Sequence, residues 1–187
     1  MRSTITELGE IQVLSPEGDR LALKQLWAAG PTIAVWLRHF GCQYCLQQVA
    51  TLTAALPSIE ECGGQLLLIG NGSPEQALRF RQMKARGATV VTDPDRGSYR
   101  AMGARRSPFS LLGRGTLRGW LAALRMGIRP EGLQGDVLQL GATLVVDPPA
   151  TVLLSHIGTS LGDHPTVESL LAALRRSRHP LPQTVPT

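Results

Sequence analysis

One stretch limits the possible folds more than any other. Thr32-Ile33-Ala34-Val35-Trp36-Leu37 is an almost continuous, partly β-branched apolar run, and Cys42-Gln43-Tyr44-Cys45 follows it closely. Such a run suits a strand buried on both faces of a sheet. After the cysteines, Leu46, Val49, Ala50, Leu52, Thr53 and Leu56 recur at helical spacing, and Pro57 is expected to stop that helix. A strand, a Cys-x-x-Cys turn and a helix therefore come in immediate succession. An open α/β sheet places its chemistry at the carboxyl ends of its strands, where this turn lies.

The remaining punctuation supplies the other elements. Ile11 to Leu14 and Arg20 to Leu23 flank Ser15-Pro16-Glu17-Gly18-Asp19 and read as an extended pair, followed by a short helical turn near Lys24 to Ala28. Gln65 to Ile69 reads as a strand. Ser73-Pro74-Glu75-Gln76 reads as a helix start, with Gly87 closing the helix after about Arg86. Ala88 to Thr92 is a third core strand, and a short helix is expected near Arg96 to Met102. Thr143 to Val146 and Thr151 to His156 form a hairpin across Asp147-Pro148-Pro149-Ala150. Thr166 caps a last helix with Val167, Leu170, Leu171 and Leu174 on one face. The order is that of an α/β, thioredoxin-like fold: a mixed central sheet flanked by helices, with an Arg-rich insertion before the last hairpin. One domain is expected over 1–187, with its core at about 11–176, an insertion at about 104–135 and a flexible tail at 179–187.

Composition narrows the setting. With 187 residues, 43% hydrophobic and 18% charged, the chain is no disordered polymer. No apolar run approaches the roughly 18 residues of a membrane span, and Met1 to Glu10 lacks the apolar core of a secretory signal. Three cysteines, an odd count, fit a reducing and hence cytoplasmic setting. The net charge of +5 is local: Arg96 to Arg129 holds eight arginines and no acid. Within that window Leu117, Trp120, Leu121, Leu124 and Ile128 share a helical arc beside Arg114, Arg118, Arg125 and Arg129. This basic flank could pack on the body, dock an acidic partner or meet anionic lipid. Trp27, Trp36 and Trp120 are scattered and give no stacking platform for nucleic acid.

The cysteine pair carries the chemistry. Positions i and i+3 on a first helical turn lie about 5–6 Å apart at Cα, within reach of a disulfide. Cys42, at the helix start, meets unpaired N–H groups that favour a thiolate, and Arg38 and His39 are close enough to help. Cys42 is therefore the candidate nucleophile and Cys45, one turn further in, the resolving thiol. Cys62, His156 and His164 are weaker candidates. No cofactor and no metal are expected.

These residues also carry a resemblance. Leu37-Arg38-His39-Phe40-Gly41-Cys42 with Cys45, Leu68-Ile69-Gly70-Asn71-Gly72-Ser73, and Val91-Thr92-Asp93-Pro94-Asp95-Arg96 with Tyr99 form part of it. Gly135-Asp136-Val137-Leu138-Gln139-Leu140-Gly141 and Asp163-His164-Pro165 complete it. Together, from about Gly9 to Arg176, they resemble the peroxiredoxin-like branch of the AhpC/TSA superfamily. The resemblance implies a thiol-dependent antioxidant or reductase, acting on a hydroperoxide or a disulfide, with a thioredoxin-type reductant. At the positions where typical peroxiredoxins carry Pro and Thr before the reactive cysteine, this chain has Val35 and His39. Where thioredoxins place a cis-proline it has Gly141-Ala142-Thr143. Arg38, His39 and Thr143 are the supporting candidates. The rival reading is a redox-sensing binding module that works through the insertion.

Overall fold

The computed structural model describes residues 4–106, 136, 138–160 and 162–177. Most of the expected insertion and the tail at 179–187 lie outside the described residues. The elements are α1 (Ile5–Gly9), β1 (Gln12–Leu14), β2 (Arg20–Ala22), α2 (Leu23–Leu26), β3 (Thr32–Trp36), α3 (Gln43–Ala54) and α4 (Leu56–Glu61). They continue with β4 (Gln65–Gly70), α5 (Pro74–Lys84), β5 (Thr89–Thr92), α6 (Gly97–Met102), β6 (Ala142–Asp147), β7 (Thr151–Ile157) and α7 (Val167–Leu174).

Among the described residues the strands form one sheet in the order β2-β1-β5-β4-β3-β6-β7. β3, β4 and β5 run parallel, while β6 lies antiparallel to β3 in the register Val35↔Thr143 and Trp36↔Ala142. β7 returns antiparallel to β6, and β1 meets β5 at Leu14↔Thr92. This is the thioredoxin-like arrangement expected.

β3 is apolar throughout because both its faces are covered. Ile33 and Val35 face a layer with Val49, Leu52, Phe80 and Leu170. Ala34 and Trp36 face the opposite layer, with Leu8, Leu23, Trp27 and Tyr99. The helix starts follow their capping residues. The Ser73 hydroxyl accepts from Gln76 N–H, and the Gln76 side chain accepts from Ser73 N–H. The Thr166 hydroxyl accepts from Ser169 N–H.

Two elements depart from expectation. Pro57 does not end the helical region: α3 stops at Ala54, and Pro57 sits in the first turn of α4. A proline there loses no hydrogen bond, since the first-turn N–H groups have no intrahelical acceptor. At the amino end, Thr4 and Glu7 form a reciprocal capping box that starts α1, an element the sequence reading did not include.

At the end of β4 the packing is tight. A Cβ on Gly70 would stand 2.1 Å from the Phe40 ring, which is itself held against Phe80 at 4.9 Å between centroids. Gly70→Ala should therefore cost about 1–3 kcal/mol through overpacking. A denaturant melt should show the loss, and an unchanged midpoint would mean that Phe40 can move aside.

Candidate functional site

The cysteines lie where β3, an interior strand between β4 and β6, gives way to α3. Beyond β3 the chain stays clamped for one more residue, with Leu37 N–H donating to Ile69 O at 2.8 Å. Tyr99, fully buried, directs its hydroxyl at the carbonyls of Leu37 (2.7 Å) and Ile69 (3.0 Å), tying the ends of β3 and β4 together. Trp36 Nε1 donates to Ser98 Oγ at 2.9 Å, and Ser98 donates in turn to Asp93 Oδ2. A buried polar frame therefore fixes the strand from which the reactive turn departs.

Arg38 is only 6% exposed and reaches both sulfurs. Its Nη1 donates to Cys42 Sγ at 3.4 Å, and its backbone N–H donates to Cys45 Sγ at 3.3 Å. Asn71 Nδ2 donates to the Arg38 carbonyl at 2.8 Å, and Arg38 Nε donates to Gln139 O at 3.1 Å. Cys42 is the N-cap of α3, with its N–H on His39 O at 3.2 Å. All three thiols are free.

The electrostatics separate the pair. A hydrogen bond with Cys45 is the main influence pulling the Cys42 thiol down from the ordinary 9.0 to about 5. The Cys45 backbone N–H, Arg38 and His39 pull the same way, while burial opposes them. The same sulfur–sulfur hydrogen bond, together with burial, pushes Cys45 well above 9.0. One sulfur is thus poised as an anion and the other as a protonated donor. Their roles do not divide by exposure, because each cysteine is 5% exposed.

The supporting candidates divide. Arg38 belongs to the site. His39 is half-buried, and its burial pushes the imidazole pKa down against the opposing pull of Cys42. Its Nδ1 is buried without a hydrogen-bond partner. Thr143 lines a small polar cavity of about 30 Å³ with Arg38, Cys45, Gln48 and His164. Gly141 lies so close to β3 that a Cβ would stand 2.7 Å from Trp36 O. His156 is paired with Asp163 at 2.9 Å rather than directed at a sulfur. Cys62 ends α4, partly buried against the core.

Sequence reasoning assigned no chemistry to Asn71, Tyr99 or Gln139. Asn71 sits in a glycine turn and Gln139 in an apolar stretch, and that was the available signal; Tyr99 carried none of this kind. Asn71 and Tyr99 donate to carbonyls 30 to 62 positions away, and the Gln139 carbonyl accepts from Arg38 Nε across 101 positions.

Comparisons with known proteins agree with this fold. The family model described as AhpC/TSA antioxidant enzyme matches residues 51–160, which begin after the cysteine pair and cover more than half of the chain. The human protein named peroxiredoxin-like 2C is 27% identical over 177 residues, 88% of this chain and 77% of that one. A Xenopus laevis protein named prostamide/prostaglandin F synthase is 31% identical over 172 residues, 84% of this chain and 80% of that one. The crystal structure of peroxidoxin BcpB from Mycobacterium tuberculosis superposes with a TM-score of 0.65 at 15% identity, covering 90% of this chain and 93% of that one. At that identity the likeness speaks for the fold.

Proposed function

The chain belongs to the AhpC/TSA antioxidant enzyme family and is a peroxiredoxin-like, thiol-dependent oxidoreductase, and on this premise we propose that it reduces hydroperoxides with Cys42 as nucleophile and Cys45 as resolving thiol. The observation that carries the reading is Arg38 reaching both sulfurs, its Nη1 3.4 Å from Cys42 Sγ and its backbone N–H 3.3 Å from Cys45 Sγ.

In the first step the Cys42 thiolate attacks one peroxide oxygen. The O–O bond breaks, Cys42 becomes a sulfenic acid, and the other oxygen leaves as an alkoxide or hydroxide that takes a proton. Arg38 holds the anion in place before the attack. In the second step the Cys45 sulfur attacks Cys42, its proton leaves with the displaced hydroxyl as water, and an intramolecular disulfide remains. A thioredoxin-type dithiol then returns the two electrons. A cytoplasmic setting belongs to this reading, since a reducing compartment supplies that dithiol. Among the described residues no helix is long and apolar enough to cross a membrane.

The alternative docking role rests on the Arg-rich insertion at about 104–135, most of which lies outside the described residues.

The test is to treat the reduced protein with hydrogen peroxide and with an alkyl hydroperoxide, then map the product by mass spectrometry. Loss of two hydrogens with a bond between Cys42 and Cys45 is expected. Oxidation by a disulfide substrate but by neither peroxide would assign disulfide exchange instead. A bond to Cys62 would overturn the assignment of Cys45.

A further inference from the structure

Arg38 can stabilise an anion at Cys42 only if its guanidinium is held in place, and the groups that hold it never reach a sulfur. The acceptor of Arg38 Nε is a main-chain carbonyl, that of Gln139. This carbonyl belongs to a turn that begins at Asp136. Leu138 N–H donates to Asp136 Oδ1 at 3.0 Å, and Gln139 N–H donates to Asp136 O at 3.1 Å. The Gln139 side chain, 2% exposed, donates through Nε2 to the carbonyls of Ala104 and Leu140, each at 3.1 Å. The Asp136 carboxylate is ion-paired with Arg96, which reaches it from a left-handed backbone at φ 58, and with Arg106 at 2.7 Å. Asp136 N–H also donates to Asn71 Oδ1 at 3.2 Å, and the amide of that same Asn71 donates to the Arg38 carbonyl. The turn therefore grips Arg38 twice, at its guanidinium through Gln139 and at its backbone through Asn71.

We propose that Asp136 is a positioning residue for the thiol chemistry: by anchoring this turn to Arg96 and Arg106 it sets the contact between the Arg38 guanidinium and Cys42 Sγ. The inference rests on Cys42 being the nucleophile. Removing the Asp136 charge releases the turn from both arginines. Arg38 then moves relative to a sulfur that Asp136 itself never touches.

The test is the pH profile of Cys42 alkylation by iodoacetamide, mapped by mass spectrometry, on the reduced full chain. Among the described residues, the other titratable or charged groups facing Cys42 are Arg38, His39 and Cys45, and all are left intact. In Asp136→Asn the midpoint should rise by about half to one unit, since part of a charge contact worth one to three units is lost. Alkylation at pH 5 should slow several-fold. Asp136→Glu, which keeps the charge, should lie nearer the wild type. Glu17→Gln, which breaks the remote exposed pair with Arg81, should leave the profile unchanged, so general loss of stability is separated from positioning. If Asp136→Asn does not fold, Arg106→Gln removes one of the two partners at a side chain 58% exposed and should give a smaller rise. A folded variant with the wild-type profile overturns the inference. A wild-type protein with no low-pH midpoint at Cys42 would instead overturn the assignment of the nucleophile.

Discussion

Cys42→Ser abolishes peroxide turnover, a loss of more than about a thousandfold, because a serine hydroxyl is not ionised near neutral pH and cannot form the sulfenic acid. Cys45→Ser behaves differently. It still consumes one equivalent of peroxide and leaves Cys42 as a sulfenic acid that dimedone traps, but it forms no intramolecular disulfide. Its first turnover is also slower at pH 6 than that of the wild type. The hydrogen bond from Cys45 is the largest influence lowering the Cys42 thiol, and serine replaces that donor imperfectly. Stopped-flow kinetics with mass analysis of the trapped product distinguishes the two variants. A Cys42→Ser protein that kept its turnover would remove Cys42 from the mechanism.

Arg38→Met has the second largest effect. The guanidinium supplies a charge-assisted hydrogen bond to Cys42, and such a bond is worth about 1.5–3 kcal/mol, so the rate with peroxide at pH 7 should fall about ten- to a hundredfold. The pH dependence has a definite sign. The thiolate is the reactive form, so the wild-type rate holds above the lowered value of about 5 and falls tenfold per unit beneath it. In Arg38→Met the descent should begin at higher pH. The linkage to stability runs the same way. The folded-state value of Cys42 lies below the ordinary 9.0, so ionisation favours the folded chain above that value, and the benefit is lost as pH falls through about 5. A rate profile in Arg38→Met that matched the wild type would leave Arg38 as a packing residue.

Some of this was legible in the residues because the causes are local. The apolar run of β3, the capping serine and threonine of α5 and α7, and the Cys-x-x-Cys turn each need only a few neighbouring positions. Arg38 was legible for the same reason, being four residues from Cys42. Pro57 was misread because a proline ends one helix and begins the next with equal ease, and only packing decides between them. The site's frame was not legible. Tyr99 donates to the carbonyls of Leu37 and Ile69, Asn71 donates to that of Arg38, and the Arg38 guanidinium donates to that of Gln139, so in each contact a polar side chain meets a main-chain atom. A main-chain carbonyl carries no mark in the sequence. Thr143 and His39 were chosen by position alone: one lines the cavity beside Cys45, and the other stands near Cys42 with an unpartnered ring nitrogen.

The span of the Arg38–Gln139 hydrogen bond has a consequence in time. Its ends are 101 positions apart in the chain. At roughly 5–20 residues per second, Gln139 is synthesised roughly 5–20 s after Arg38. During that interval Arg38 Nε lacks the carbonyl that holds the guanidinium beside Cys42. The Arg38 share of the thiolate's stabilisation is complete only once the turn at Gln139 is in place, so that share arrives with the late part of the fold.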